Sequence, residues 1–274
     1  MSSLNILDTA PEQAQTEPTP QTTFEPDLFM DGYVSCCLSA GSAEQFFRSL
    51  TGTSQSQVPV PVEYDRSTKS FRTMDPQTRG QPVDMLVSYK RGLVIPQAIP
   101  PILESKPSFG KTHPIFFLTK GLRDVGVLAQ DLVLESCPTL EQPDSEVNLG
   151  SRGGHLITIS ASDLSSPRIK SFNIEVITSQ WPGYRNWAST LFKKDAEPVS
   201  MRRLAYLVGH AIRLFLEHSP FTSCTEPTLD IVSNNITMKD VLLIGLVQIH
   251  ATPSIWMPIL QLLRSEGRPW LYAH

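Results

Sequence analysis

The sequence predicts an α+β fold, a mainly antiparallel sheet with two helices on one face, preceded by a disordered N-terminal tail. Three observations carry this reading. Residues 171–178 alternate, with Phe172, Ile174 and Val176 on one side and Ser171, Asn173 and Glu175 on the other, the period of a half-buried strand. Residues 201–217 place Met201, Leu204, Ala205, Val208, Ala211, Ile212 and Phe215 on one helical stripe. Residues 241–249 are apolar almost throughout, as in a strand covered on both faces.

In chain order, residues 1–30 are rich in Pro, Thr, Gln and Glu and hold few apolar side chains. Such a segment buries too little surface to offset its ordering entropy, which predicts a disordered acidic tail. Its end, Phe24 to Phe29, mixes acidic and large apolar residues, as a docking motif or the lead into a first packed element does. Residues 31–110 read as a looser, loop-rich flank containing β-structure. Within it, Ala43–Leu50 has the pattern of a short helix, and residues 83–94 suggest two short strands about the turn Lys90-Arg91-Gly92. A Pro-rich connector, with Pro100-Pro101 and Lys106-Pro107, closes at Gly110.

Residues 111–274 form the principal module. A short apolar strand covers 115–119. Val125, Leu128, Ala129, Leu132 and Val133 follow i, i+3, i+4, i+7, i+8, predicting a helix near 125–135. Strands follow near 155–160 and 171–178. Ser200 stands where a helix N-cap belongs, opening the helix at 201–217. The apolar run 241–249 breaks at Ala251-Thr252-Pro253-Ser254 and returns as a hairpin strand over 255–263, where Pro258 predicts an edge or a bulge.

Charge and composition exclude several classes. Five acids and no base within residues 1–29, against a whole-chain charge of −4, leave the remainder at about +1. A near-neutral body has no footprint for nucleic acid and no attraction to an anionic membrane. The longest apolar run, Val241 to Val247, is far shorter than the about 18 residues that span a bilayer. The N-terminus lacks a basic then apolar leader pattern. Cys36, Cys37, Cys137 and Cys224 include no Cys-x-x-Cys pair and are too few for a stapled secreted fold. They read as reduced thiols of a cytoplasmic or nuclear protein.

The usual catalytic and cofactor signatures fail one by one. Gly110-Lys111-Thr112 lacks the glycine five positions upstream that a phosphate loop needs, and His113-Pro114 blocks the helix that should follow. Gly150 to Gly154 with Arg152 reads as a flexible turn rather than an anion nest. The six histidines show no i, i+4 pair and no zinc spacing, so no metal or cofactor is expected. No Gly-x-Ser-x-Gly elbow occurs, and no base neighbours Cys36-Cys37 in sequence. Lys193-Lys194 and Arg202-Arg203 flank Asp195 and Glu197, the composition of a solvated helix entry.

One segment stands out. Ser179-Gln180-Trp181-Pro182-Gly183-Tyr184-Arg185-Asn186-Trp187 packs two indoles, a phenol and a Pro-Gly break between the strand at 171–178 and the helix at 201–217. Such residues either plug a core beneath the helix, each ring finding a polar partner, or stand out as anchors for another protein. Trp181, Tyr184, Arg185 and Trp187 are the candidate contact residues.

Three landmarks also resemble a family of proteins from mushroom-forming basidiomycete fungi, one with no assigned activity. Ile174-Glu175-Val176 runs to Trp181-Pro182-Gly183-Tyr184 and on to Trp187; Val199-Ser200 precedes Leu204-Ala205; and Leu242 to His250 turns into Ser254-Ile255-Trp256-Met257-Pro258. Phe116-Phe117-Leu118 with Gly121 and Gly126-Val127-Leu128 is similar to the family as well. The resemblance covers residues 112–264 and departs at Pro253, where the family often carries glycine. It implies one shared module and a fungal origin, and it brings no catalytic residue. The expected function is therefore a non-catalytic protein-interaction module with a protein partner. The alternative is an enzyme whose site is assembled by folding near His155, His210 or His250.

Overall fold

The computed structural model describes residues 26–38, 40–51, 62–74, 80–97, 99, 109–121, 124–149, 155–161, 170–176, 199–218, 235–251 and 254–264. The fold is α+β, as the sequence predicts. Three helical pieces come first: α1 (Pro26–Phe29), α2 (Tyr33–Cys37) and α3 (Ala40–Thr51). Strands β1 (Val62–Asp65), β2 (Ser70–Thr73) and β3 (Pro82–Met85) make a small antiparallel sheet in that order.

The larger sheet contains β4 (Gly92–Val94), β5 (Ile115–Phe116), β6 (Val127–Leu128), β7 (His155–Ala161), β8 (Lys170–Val176), β9 (Val241–His250) and β10 (Ser254–Leu263). Its spine runs β5-β9-β10-β7-β8, with β6 also on β9 and β4 also on β10. Every pairing is antiparallel except β7 with β10. The expected hairpin is β9-β10, the longest pairing of the sheet.

β9 is buried on both faces, as its apolar run predicts. Val241, Leu243 and Leu246 enter one core; Leu242, Ile244, Val247 and Ile249 enter the other. The alternation changes phase at Gly245, where the ladder with β10 shifts register between Ile259 and Leu260. A side chain at Gly245 would put its Cβ 2.6 Å from the Ile115 carbonyl oxygen of β5. Only a bare backbone fits between the two strands there.

Pro258 lies within a central strand, where a missing amide normally costs a ladder bond. Here β7 pairs with residues 254–256 of β10 and β4 with 261–263, so the same side of β10 is open at Pro258. The Gln97 side-chain amide donates to the Pro258 carbonyl in that gap, and the Ile95 amide donates to the Leu260 carbonyl at 2.9 Å. Proline therefore sits at a local edge inside the sheet.

One face is covered by α4 (Ala129–Leu132) and α5 (Met201–His218). The α5 stripe is buried from Leu204 to Phe215, with Val208, Ala211 and Ile212 fully enclosed. The two helices press together at Gly209, where a Cβ would lie 2.5 Å from that of Leu132. The helix expected over 125–135 is only this one turn. Val125 and Val127 are both buried but in opposite cores, turned apart at Gly126, whose φ is +102°, and pairing of β6 with β9 outcompetes the helical spacing of the same residues.

The opposite face is covered by α1 to α3. Phe29, Tyr33, Phe46 and Phe47 share a core with Ile255, Met257 and Ile259 of β10. Phe29 meets Phe47 and Phe71 edge-to-face, with ring centroids 4.3 and 5.0 Å apart. Residues 1–25 of the expected tail lie outside the described residues; its end is α1, the lead into the first packed element.

Candidate functional site

Trp181, Tyr184, Arg185 and Trp187 lie outside the described residues, which stop at Val176 and resume at Val199. Both attachment points are defined. β8 terminates the sheet on the β7 side, and among the described residues no strand pairs with its outer edge. α5 begins from a fully tied N-terminus. The Met201 amide donates to the Ser145 carbonyl at 2.8 Å and the Arg202 amide to the Pro143 carbonyl at 2.7 Å. Ser200 is the predicted N-cap: its Oγ accepts the Arg203 amide at 3.2 Å, and its carbonyl takes the Leu204 amide. The Arg202 guanidinium pairs with Asp144 at 2.6 Å, across the loop that supplies the capping carbonyls. With its first amides satisfied, this helix end has no vacancy for an anion.

The sheet brings two of the three candidate histidines to one end. His155 opens β7 opposite Ser254 and Val176, and His250 closes β9 opposite Ile255. β10 separates them, a spacing of about 10 Å at the usual inter-strand distance. His210 is engaged along its own helix. Its Nδ1 lies 2.9 Å from Arg213 Nη2, and its ring stands edge-on to Tyr206 with centroids 4.4 Å apart. Burial and then the Arg213 charge lower its pKa, so the ring is a neutral imidazole at physiological pH.

Cys36, Cys37 and Cys137 are free thiols; Cys224 lies outside the described residues. Burial raises the pKa of each. Asp84 and Asp31 add to the rise at Cys36, against a hydrogen bond from Tyr89 that lowers it, and the Asp84 charge adds to the rise at Cys37. Cys137 is pushed up to about 11 by burial, then by Asp131. Thiols held in this form are poor nucleophiles and poor metal ligands. Among the described residues, no group of three or more His, Cys, Asp or Glu side chains could hold a metal ion, and no helix is long and apolar enough to cross a membrane.

The sequence landmarks inside the described residues are core devices. Ser254 Oγ accepts the Trp256 indole N–H at 3.0 Å and the Gln248 amide at 2.9 Å. That bond satisfies the polar edge of a tryptophan only 1% exposed. Phe117 of the upstream landmark is fully enclosed, and Leu204-Ala205 forms the start of the α5 stripe.

Sequence reasoning missed two exposed apolar side chains near Cys36. Met30 and Tyr89 are 43% and 53% exposed, and Cys36 contacts the Met30 main chain and the Tyr89 hydroxyl. The Cys36 sulfur lies 3.6 Å from the Met30 carbonyl and 3.5 Å from the Tyr89 hydroxyl, which also donates to Asp31 at 3.4 Å. Burial and the neighbouring Cys36 and Asp31 raise the phenol pKa, so the ring is neutral and pinned by its own hydroxyl. Nothing in the spacing of positions 30, 36 and 89 announces this meeting. Compared with protein-family models, curated proteins and solved structures, the chain finds no match.

Proposed function

We propose that this chain is a non-catalytic protein-interaction module of a fungal intracellular protein, cytoplasmic or nuclear. It contacts a protein partner through Trp181, Tyr184, Arg185 and Trp187. The observation that carries the reading is what this segment joins: the outermost strand of the larger sheet and a capped helix whose apolar stripe lies in that sheet's core. Trp, Tyr and Arg are the residue types that dominate interface hot spots. A rigid frame on both sides reduces the entropy cost of holding such a segment against a partner. Met30 and Tyr89 are further exposed apolar side chains of the same molecule. A second reading, an enzyme, rests on His155 and His250 sharing one end of the sheet.

The test uses the full chain and its Trp187→Ala variant as paired baits in basidiomycete lysate, each also melted. The expected variant melts within about 2 °C of wild type, as an exposed substitution does, and loses a partner that wild type retains. A collapsed melting temperature would place Trp187 in the core. Identical capture by both baits would remove it from the contact surface.

A further inference from the structure

We propose that Asp84 is a proton-operated latch: as a neutral carboxylic acid it ties α2 to β3, and on losing its proton it loosens that joint. Asp84 lies on β3 opposite Phe71 of β2 and is fully buried. Its Oδ1 accepts the Val34 and Met85 amides, each at 2.8 Å. Its Oδ2 meets the Ser35 amide at 3.2 Å and the Ser35 hydroxyl at 3.3 Å. An ionised carboxylate draws donors on both oxygens to short, charge-assisted distances. Here the two short bonds fall on one oxygen and the two long contacts on the other. The Ser35 amide and hydroxyl both donate to Oδ2, at distances long for charge-assisted bonds to a carboxylate.

The surroundings favour the same form. Every partner of Asp84 is an amide or a hydroxyl, and none is a cation. The Asp84 charge acts on Cys36 and Cys37 of α2, and Asp31 in the turn before that helix acts on Cys36. On β2, Arg72 is committed to Asp65 at 3.4 Å and to the Gly80 carbonyl at 2.7 Å. Gly32 presses its backbone onto the carboxyl: a Cβ there would lie 2.0 Å from Oδ2. Burial pushes the Asp84 pKa up to about 7, against the amides and the Ser35 hydroxyl, which hold it down.

An unfolded aspartate titrates near 3.9. Between about 4 and 7 the folded chain therefore holds the extra proton. The contribution of Asp84 is fullest at the acid end of that window, falls as pH rises through it, and is gone above about 7. α2 also packs on β10 and β4, so this latch sets how firmly the N-terminal helices sit on the second face of the sheet.

The test compares full-length wild type with Asp84→Asn, which imitates the neutral acid at every pH. Between pH 8 and pH 5.5 the folded-to-unfolded ratio of wild type should rise about 30-fold relative to the variant. A relative stability that stays flat, or falls on acidification, overturns the latch. Hydrogen exchange on wild type alone covers the case in which the variant does not fold. Protection of the Val34, Ser35 and Met85 amides, corrected for intrinsic base catalysis, should drop above pH 7 and hold below it. Protection unchanged across that range also overturns the proposal.

Discussion

Replacing Gln261 by Met should weaken the whole molecule while sparing its packing. Gln261 is fully buried on β10 and closes a ring of hydrogen bonds with the N-terminal segment. Its Oε1 accepts the Tyr33 hydroxyl at 2.9 Å; its Nε2 donates to the Ser88 and Gly92 carbonyls, each at 3.1 Å. The Ser88 amide in turn donates to the Tyr33 hydroxyl at 3.3 Å. Met matches Gln in length and volume, so the loss is polar. Three groups lose a partner, at about 1–3 kcal/mol each for a buried orphan. Removing a buried amide returns about 1–2 kcal/mol. The net expectation is a loss of about 4 kcal/mol, or about 8–16 °C in melting temperature for a chain of this size. Tyr33→Phe should cost about 1–2 kcal/mol, and the double variant should lose about 1 kcal/mol less than the sum of the two. Urea unfolding followed by far-ultraviolet circular dichroism and by tryptophan fluorescence measures all three. If the N-terminal segment and the sheet are one cooperative unit, the two probes coincide and the coupling is non-zero. A Gln261→Met cost below about 0.5 kcal/mol, with additive variants, would refute the claim that this ring joins them.

Two further outcomes follow from burial. Val208 is fully enclosed beneath α5, so Val208→Asp places an unpaired carboxylate in the core; it should abolish the cooperative melt, and a near-native melting temperature would show the stripe to be misassigned. The raised thiol pKa values predict slow labelling of Cys36, Cys37 and Cys137 by a maleimide at pH 7.5, with the half-buried Cys36 first and rates climbing with pH. Mass-mapped labelling reads this directly, and Cys37 or Cys137 reacting at the rate of a free thiol contradicts it.

Elements whose pattern is complete in their own sequence were legible. β9 declares itself by an unbroken apolar run, α5 by a stripe with a serine cap, and β8 by alternation. Elements whose form depends on partners were not. The two strands expected between 83 and 94 both exist, yet β3 pairs with β2 and β4 with β10, in different sheets. Neighbours in sequence set no pairing once a better partner edge is available. The residues around 125–133 satisfy a helical spacing, yet the free edge of β9 draws Val127 and Leu128 into a strand and leaves only one helical turn. The helix read over Ala43–Leu50 is α3, running Ala40–Thr51, but its packing on the second sheet face depends on Phe46 and Phe47 meeting residues some 200 positions away. Asp84 gave no signal, because an acid in a short strand is ordinarily a solvent-facing residue.

The sequence landmarks separate, on this structure, into two physical kinds. Ser254, Trp256 and Pro258 answer problems that β10 creates for itself: an indole N–H to satisfy in a dry core, and a missing amide to place where no strand lies opposite. Ser200 with Leu204-Ala205 answers the start of α5 in the same way. Any chain that builds this sheet with these residues needs such solutions, so these landmarks report the fold and carry no information about a partner. The Trp181 to Trp187 segment answers no such problem among the described residues: β8 is already paired along its length to β7, and α5 is already capped from the 143–147 loop. A costly aromatic segment that neither element requires for its own completion is where a selected contact is most economically placed. This difference in structural necessity is why the proposed contact surface is sought there, rather than in the Ser-x-Trp strand.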